Sequence, residues 1–313
     1  MNPPDIDPLD VEPLNVLLGP TASGKSSLGL QVAEQVGAEI ISLDSMQVYR
    51  GMDIGTAKPS VEDLARVPHH MIDLVDTDEI YDVQRFMAEV RTVLKSIQAR
   101  GNKALFVGGT GFYLAALLRG LFEGPAVDHA LRGSLEEHLN LVGKQALFEE
   151  LQAADPESAA RLHENDTRRV IRALEVWKQT GKRLSEWQQE WGRESLPRVE
   201  NARLVGIWRP VPELDARIRA RAQIMLDAGW KEEAVGLRAH PGLCKGAAQA
   251  LGYSAVLAWA DGTLSAQDTL EEIALRTRQF ARRQRTWYRK FDVHWIPSED
   301  PDRKKKSLKH WHW

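Results

Sequence analysis

Short apolar runs alternate with longer helix-like segments over the first 120 residues of the chain. The runs at residues 16–18, 38–43 and 104–107 have the length and composition of buried strands. Between the last two runs, residues 83–97 place apolar side chains at helical spacing, and Gly101 ends that segment. Strands that alternate with helices predict an α/β fold built on a parallel sheet.

The pattern changes near Gly120. Residues 125–196 carry helical patterns only, whereas a strand pattern returns at residues 204–208. Further helical segments follow up to residue 290, before a last short strand at 293–296. We therefore predict a disordered leader at 1–13, an α/β core at 14–122 and 200–298, a helical insertion domain at 123–199, and a basic tail at 299–313, whose residues 303–306 are solvated and mobile.

The composition is that of a soluble globular protein. Apolar residues make up 43% of the 313 residues, and no stretch approaches the length of apolar sequence that a membrane span needs. The single cysteine, Cys244, excludes an internal disulfide and a zinc site built from cysteines. We expect a cytoplasmic monomer that has no membrane partner.

The net charge of −3 conceals one strongly basic segment. Residues 276–290 contain seven basic side chains and no acidic one, with Phe280, Trp287 and Tyr288 among them. Arginines interleaved with aromatic rings suit a polyanion that has exposed bases. A solvated helix face whose aromatic side chains turn toward the core explains the same pattern, and both interpretations stay open at this point.

The segment that follows the first strand fits the phosphate-binding pattern G-x-x-x-x-G-K-[ST]. Glycines permit a backbone that turns successive N–H groups inward, and the following helix adds the positive end of its dipole. Lys25 would reach the outer phosphates, and the Ser26 hydroxyl would bind Mg²⁺. The predicted phosphate cradle comprises Gly19, Pro20, Thr21, Ala22, Ser23, Gly24, Lys25 and Ser26.

Asp44 ends the second strand, where open α/β sheets place their functional residues. The strand at 104–107 runs into Gly108-Gly-Thr-Gly, without the carboxylate that kinases and GTPases use to hold Mg²⁺. A phosphate cradle paired with Asp44 suggests a reaction in which the phosphates are the leaving group. A small-molecule or nucleotide kinase that uses ATP, and a non-catalytic RNA-binding NTPase module, are the alternatives.

Several motifs resemble those of the tRNA dimethylallyltransferases (tRNA isopentenyltransferases, the IPP transferase family). The run at residues 44–59 is the most specific of them. The resemblance extends in order over residues 14–297 and implies a P-loop-type parallel sheet core flanked by helices, with an inserted all-α subdomain. The other matching segments are residues 19–26, 67–73, 108–113, 169–176, 250–253 and 277–287.

This resemblance implies transfer of a dimethylallyl group from dimethylallyl diphosphate to N6 of the adenine beside the anticodon of tRNA. Asp44 would be the general base, and Mg²⁺ the cofactor. Thr21, Lys25 and Arg221 would assist departure of the diphosphate, with Arg217 as a rival to Arg221. The partners would be dimethylallyl diphosphate and the anticodon stem-loop.

The resemblance also implies a set of contacts to tRNA, spread over six segments. These contacts are Asp44, Ser45, Met46, Gln47, Thr110, Arg132, Arg168, Arg169, Val170, Ile171, Arg172, Gln249, Gly252, Tyr253, Arg282, Arg283, Arg285, Trp287 and Arg289.

Other residues with suggestive chemistry are interpreted structurally. His69 and His70 are adjacent on a strand, so their side chains point to opposite faces and make a poor metal chelate. Trp187 and Trp191 lie four positions apart on one helical face, a spacing typical of packing residues.

Overall fold

The computed structural model describes residue 9 and residues 13–120, 124–190 and 202–313. Of the leader predicted to be disordered, only Leu9 and Pro13 fall within these residues, and Trp191 lies outside them. The described strands are β1 (Asn15–Leu18), β2 (Ala38–Leu43), β3 (His69–His70), β4 (Lys103–Gly108), β5 (Arg203–Trp208) and β6 (His294–Pro297).

Helices connect the strands. They are α1 (Lys25–Val36), α2 (Val61–Arg66), α3 (Val83–Ala99), α4 (Gly111–Arg119), α5 (His129–Ala154), α6 (Pro156–Ala159), α7 (Thr167–Thr180), α8 (Leu184–Glu190), α9 (Val211–Asp227), α10 (Trp230–Ala239), α11 (Tyr253–Ala260), α12 (Ala266–Tyr288) and α13 (Arg303–Trp311). A 3-10 turn, Ala247–Gln249, precedes α11. None of the described helices is long and apolar enough to cross a membrane.

The six strands form one parallel sheet in the order β3-β2-β4-β1-β5-β6. Residues of β1 and β2 are buried throughout, as expected for parallel strands covered on both faces. Leu18 of β1 and Leu43 of β2 both pair with Gly108 of β4. The loops that follow these three strands therefore leave the same edge of the sheet, and the predicted P-loop-type α/β core is confirmed.

The chain divides into two compact units. Met1–Leu118 and Val199–Trp313 form the first, and Arg119–Arg198 form the second. In its described part the second unit contains only helices, which pack around a core that includes Leu135, Leu147, Val170 and Leu174. The prediction of an inserted all-α subdomain is therefore confirmed. Gly143, at φ +84°, breaks α5 between two helical segments.

The prediction of a mobile basic tail is wrong. Residues 303–311 form α13, and the Trp311 side chain is fully buried. The Trp311 indole N–H donates to the Arg203 carbonyl oxygen at 3.0 Å, and the Arg203 guanidinium donates to the Trp311 carbonyl oxygen at 2.7 Å. The lysines of this segment lie on the exposed face of α13, which is anchored beside β5.

Candidate active site

The phosphate cradle joins β1 to α1. Ala22 and Gly24 have positive φ angles of 62° and 98°, which turn the loop around a concave backbone. No side chain caps the first turn of α1, so its N–H groups are left for a ligand. The Ser23 hydroxyl is buried without a hydrogen-bond partner among the described residues. This arrangement is a site prepared for an anion.

A cavity of about 690 Å³ opens beside the cradle. On the cradle side its lining includes the cations Lys25, Arg217 and Arg221 and the Ser26 hydroxyl, and Lys58 and Arg66 also line it. The opposite part of the lining includes Ile40 and other residues of β2 and the loop after it. The cavity is therefore positive at the cradle and is lined by both polar and apolar side chains away from it.

Lys25 and Arg221 interact electrostatically with each other and with Asp44. Burial, and next the neighbouring positive charge of Arg221, lower the pKa of Lys25 to about 8, whereas the Asp44 carboxylate acts in the opposite direction. Burial also lowers the pKa of Arg221, and Asp44 again opposes the shift. One carboxylate and two cations thus share the site.

The two candidate arginines on α9 are placed differently. Arg217 donates from Nε to the Ala22 carbonyl oxygen at 2.9 Å, which ties α9 to the cradle. Arg221, one turn later, makes no side-chain hydrogen bond within the described part of the chain. Arg217 therefore supports the loop, and the Arg221 guanidinium keeps its donors available to a ligand in the cavity.

Asp44 is half-buried at the carboxyl end of β2. Its Oδ1 accepts a hydrogen bond from the Met46 N–H at 2.9 Å, and no other hydrogen bond of this carboxylate occurs among the described residues. The Ser45 N–H donates to the Thr110 hydroxyl at 3.2 Å. The loop after β2 is thereby joined to the loop after β4, and Asp44 retains oxygen lone pairs for a ligand.

The loop after Asp44 is held by buried polar groups. The Gln47 amide accepts from the Ser42 hydroxyl at 2.8 Å and donates to the Ala57 carbonyl oxygen at 3.2 Å. Lys58, whose side chain is only 5% exposed, binds the carboxylates of Asp53 and Asp73. The polar residues of this run therefore fix the shape of the loop, and the Gln47 amide is engaged at both ends within the protein.

The Glu233 carboxylate of α10 binds the backbone of the same loop. Its carboxylate accepts hydrogen bonds from the backbone N–H groups of Asp53, Ile54 and Gly55 at 2.7–3.1 Å, and from the Tyr253 hydroxyl at 2.6 Å. A carboxylate that binds consecutive N–H groups acts as a built-in anion for this turn. The sequence offers no local signal for this contact, because about 180 positions separate the partners.

Two side chains of α12 bind the loops at the edge of the sheet, and sequence reasoning did not identify their role. Gln284 accepts from the Thr21 N–H at 2.9 Å and donates to the Gly109 carbonyl oxygen at 2.9 Å. The Tyr288 hydroxyl donates to the Gly19 carbonyl oxygen at 3.1 Å. Gln284 and Tyr288 are four positions apart, so they lie on the same face of the helix, and Gln284 is an uncharged amide among arginines. This pattern in the sequence indicates a buried face.

The two interpretations of the basic segment describe different faces of α12. Gln284 and Tyr288 are buried, and Trp287 packs against Gly111 at the start of α4. The guanidinium groups lie on the other side of the helix, next to solvent. The exposed members of the predicted RNA-contact set on this helix are Arg282, Arg283, Arg285 and Arg289.

In the second unit, the predicted RNA contacts separate into exposed and buried residues. Arg168 and Arg169 are exposed at the start of α7. The side chains of Val170 and Ile171 belong to the core of the unit, and the contact of these two residues with RNA stays a prediction. Helical periodicity explains the difference, since neighbours in sequence point to different faces.

Arg132 and Arg172 converge on a buried acid. Arg132 donates to the Glu175 carboxylate at 2.6 Å, and Arg172 lies 3.1 Å from its other oxygen. The Glu175 side chain is fully buried. It also accepts from the Asp128 N–H at 2.9 Å. Glu175 thus neutralises and orients both predicted RNA-binding arginines.

The predicted RNA contacts around α11 are also divided. Gln249 is exposed, but Tyr253 is fully buried in the hydrophobic core that contains Trp230. A Cβ added at Gly252 would lie 2.2 Å from the Trp230 ring. The Tyr253 side chain and Gly252 are therefore packing elements, and their contact with RNA stays a prediction.

The structural interpretation of the adjacent histidines agrees with their contacts. His70 pairs with the buried carboxylate of Glu39 at 2.6 Å, and the His69 ring is hydrogen-bonded to the Val67 carbonyl oxygen at 2.8 Å. Trp187 packs against the core of the second unit, as its spacing predicted.

Comparisons with known proteins agree with the motifs. The profile of the IPP transferase family matches residues 47–291. The chain is 44% identical over 278 residues to a tRNA dimethylallyltransferase of Geobacter sulfurreducens, covering 88% of this chain and 89% of that protein. It is 45% identical over 279 residues to a tRNA dimethylallyltransferase of Symbiobacterium thermophilum, covering 89% and 86% of the two chains.

The fold of this chain is similar to those of solved structures. A tRNA isopentenylpyrophosphate transferase from Bacillus halodurans has a TM-score of 0.68 at 36% identity, covering 96% of this chain and 95% of that one. A eukaryotic dimethylallyltransferase acting on tRNA has a TM-score of 0.78 at 27% identity, covering 95% and 78%. The chain therefore belongs to the IPP transferase family, as the motifs predicted, and it is an enzyme of the prenyltransferase class.

Proposed function

We propose that this enzyme transfers the dimethylallyl group of dimethylallyl diphosphate to N6 of the adenine on the 3′ side of the anticodon in tRNA. The observation that carries the proposal is the position of Asp44, which is half-buried at the carboxyl end of β2 and close enough to the cradle to interact electrostatically with Lys25 and Arg221. It brings a carboxylate to the edge of a site prepared for an anion. The names of the relatives, tRNA dimethylallyltransferases, support the same substrates.

The cradle holds the leaving group. As the bond between the allylic carbon and the diphosphate oxygen breaks, negative charge grows on the diphosphate. The N–H groups of the loop and of α1, the Lys25 ammonium and the Arg221 guanidinium stabilise that charge where it develops. Thr21, whose N–H donates to Gln284, belongs to the cradle, and we assign its hydroxyl to the departing oxygen.

Asp44 accepts the proton. The N6 amine of adenine is a weak nucleophile because its lone pair is conjugated with the ring. As N6 forms its bond to the cationic allylic carbon, one N6–H proton passes to the Asp44 carboxylate. The products are N6-dimethylallyl-adenine and diphosphate, so that carbon and not phosphorus is attacked.

The residues present fit Mg²⁺ bound mainly through the substrate. No group of three His, Cys, Asp or Glu side chains suited to a metal occurs among the described residues. Mg²⁺ commonly takes one or two protein ligands and completes its shell with phosphate oxygens and water. The Ser26 hydroxyl at the start of α1 is the protein ligand we assign. Bound there, Mg²⁺ supplies further positive charge to the diphosphate.

The RNA is held by exposed cations. The target base must leave the anticodon loop to reach Asp44, at a cost of a few kcal/mol that is lower in a loop than in a duplex. The exposed arginines of α12, with Arg168 and Arg169 of α7, would bind phosphates of the stem-loop. Contacts of this kind make affinity fall steeply with salt concentration.

A kinase that uses ATP is the alternative in a different reaction class. It requires an acidic Mg²⁺ ligand after a second core strand. Here β4 ends in Gly108 and is followed by Gly109 and Thr110, whose N–H groups bind the Leu43 carbonyl oxygen. That loop is therefore a structural link to β2 and carries no carboxylate.

Two parallel reactions test the proposal. The protein is incubated with Mg²⁺, bulk tRNA and either labelled dimethylallyl diphosphate or ATP labelled on its terminal phosphate. We expect label from the first donor to enter tRNA in the wild type and not in the Asp44→Asn variant. Phosphate release from ATP, with tRNA left unmodified by the first donor, would refute the proposal in favour of a kinase or NTPase.

A further inference from the structure

An aromatic pocket lies behind the cradle, where α12 crosses β5 and β6. A cavity of about 330 Å³ is lined there by Pro20 of the cradle, the rings of Trp208 and Trp295, and arginine side chains. Trp208 is 41% exposed and Trp295 is 38% exposed. Two large apolar rings left open to solvent beside a binding site are typical of a surface that receives a ligand. The charged side chains that line the pocket are Arg209, which pairs with Glu213 at 2.8 Å, together with Arg285, Arg289 and Asp292.

Core packing does not require an aromatic side chain at position 208. Residues 204–207 of β5 are buried, whereas Trp208, at the carboxyl end of the strand, is exposed. A polar residue would satisfy that exposed position. The Trp295 ring packs against Gly206, since a Cβ added at Gly206 would lie 2.5 Å from that ring. Gly206 thus allows this ring to lie flat against β5.

The pocket is continuous with a basic groove. A second cavity, of about 450 Å³, runs between the start of α9 and α12. Arg278, Arg282, Arg285 and Arg289 line it at spacings of three and four residues, so they form one row along the helix. Arg285 and Arg289 line both cavities. A row of cations therefore leads to a pair of exposed aromatic rings.

This combination fits single-stranded nucleic acid. Guanidinium groups bind phosphates and stack on bases, and indole rings stack on the flat face of any base. An isoprenoid chain would not use the arginines. We propose that the aromatic pocket binds a second, unreacting nucleobase of the substrate, a proposal that rests on RNA being the substrate of the proposed function.

The position of Pro20 puts the aromatic pocket next to the phosphate cradle. Pro20 belongs to the cradle, so a base held by Trp208 and Trp295 lies beside the leaving-group site. Holding this base outside the loop stack would keep the RNA chain open while the target adenine is at Asp44. Stacking at the pocket would thus favour the extruded conformation of the loop.

The test uses an anticodon stem-loop in which 2-aminopurine replaces each loop base in turn, apart from the target adenine. Stacking quenches the fluorescence of this base analogue. We expect one position to be quenched by the wild type and by Trp208→Phe, which keeps an aromatic face. Trp208→Leu and Trp208→Gln should abolish the quench and weaken affinity about 5- to 100-fold, the range for loss of one stacked base.

Two further measurements separate stacking from charge. Removing the base at the quenched position should weaken binding to the wild type but have no further effect on Trp208→Leu. Trp208→Leu should also leave the dependence of affinity on salt unchanged, whereas Arg289→Gln should lower the logarithmic slope by about 0.7. Equal affinities for Trp208→Phe and Trp208→Leu, or a quench that survives in Trp208→Leu, would overturn the proposal.

Dimethylallyl transfer to the same stem-loop is measured separately in the wild type. A quench that depends on Trp208, without transfer, would support the pocket and refute the proposed function. Transfer without any such quench would refute the pocket alone.

Discussion

Gln284 of α12 accepts a hydrogen bond at 2.9 Å from the backbone N–H of Thr21 in the phosphate cradle, although 263 positions separate the two residues. The same amide donates to Gly109 after β4. The helix whose outer face carries the exposed arginines therefore also holds, on its inner face, the loop that we propose binds the diphosphate. Under the proposed function, this helix would connect binding of RNA on one face with binding of the donor on the other.

Replacement of Gln284 tests this connection. In Gln284→Ala the Thr21 N–H and the Gly109 carbonyl oxygen lose their partners inside the protein, so we expect unfolding free energy to fall by about 1–3 kcal/mol. Affinity for inorganic diphosphate should fall about tenfold because the cradle is less ordered. Affinity for the stem-loop should change little, because the arginines remain. Calorimetry with diphosphate and filter binding with RNA measure the two affinities.

The control is Gln267→Ala, which removes an exposed glutamine from the first turn of the same helix. It should leave both affinities unchanged. Equal diphosphate affinity in Gln284→Ala and the wild type would show that the cradle does not depend on this contact.

Lys25 makes diphosphate binding dependent on pH. Burial and Arg221 lower the pKa of Lys25 to about 8, so the free enzyme holds its proton below that pH and loses it above. Only the protonated form attracts the diphosphate. Affinity should therefore decrease as pH rises through about 8, when it is measured by calorimetry with inorganic diphosphate at fixed Mg²⁺.

Ionisation of the diphosphate itself is corrected with Lys25→Met, which lacks the titrating group. This variant should bind weakly, and the ratio of wild-type to variant affinity should decline across pH 8. A ratio that is constant from about pH 7 to 9.5 would contradict the assignment of Lys25 to the phosphates.

Glu175 is expected to be essential to the second unit. Glu175→Gln leaves Arg132 and Arg172 without a buried counter-charge, and loss of one member of such a group typically costs about 3–5 kcal/mol. Affinity for RNA should fall as well, because both guanidinium groups lose their orientation. Thermal unfolding and filter binding at a temperature where the variant is folded measure these effects.

Glu137→Gln provides the comparison, since Glu137 is an exposed acid on α5. It should be neutral in both measurements. Wild-type stability in Glu175→Gln would show that the two arginines do not depend on this carboxylate.

Trp311 should contribute strongly to stability. Its side chain is fully buried in the core cluster that includes Val205 and Ile296. Trp311→Ala removes a large buried ring and should cost about 3–5 kcal/mol, as measured by denaturant unfolding. Lys305→Ala, on the exposed face of α13, should have no such effect. A neutral Trp311→Ala would indicate that the terminal segment is mobile after all.

The parts of the site that lie close together in sequence could be predicted from it. The cradle is encoded in residues 19–26, and Asp44 is placed by the apolar run of β2 that precedes it. Strand and helix periodicity likewise predict the α/β core and the helical insertion. These features depend on local spacing, which a sequence displays directly.

Contacts between distant segments could not be predicted in this way. Nothing near Thr21 indicates that Gln284 binds it, and nothing near Arg132 indicates Glu175. Residues 303–311 carry many charges, so their sequence did not indicate the amphipathic helix that buries Trp311 on its apolar side. The sequence did not indicate that Tyr253, a predicted tRNA contact, is buried by packing against Trp230. Tertiary packing decides each of these cases.

The central claim is that Asp44 accepts the proton from N6 while the cradle releases diphosphate. Single-turnover transfer of the dimethylallyl group by Asp44→Asn, with both substrates saturating, tests it most directly. We expect the rate to fall about 10²- to 10⁴-fold, while affinities for diphosphate and for the stem-loop stay within about threefold of the wild type. A transfer rate equal to that of the wild type would contradict the account.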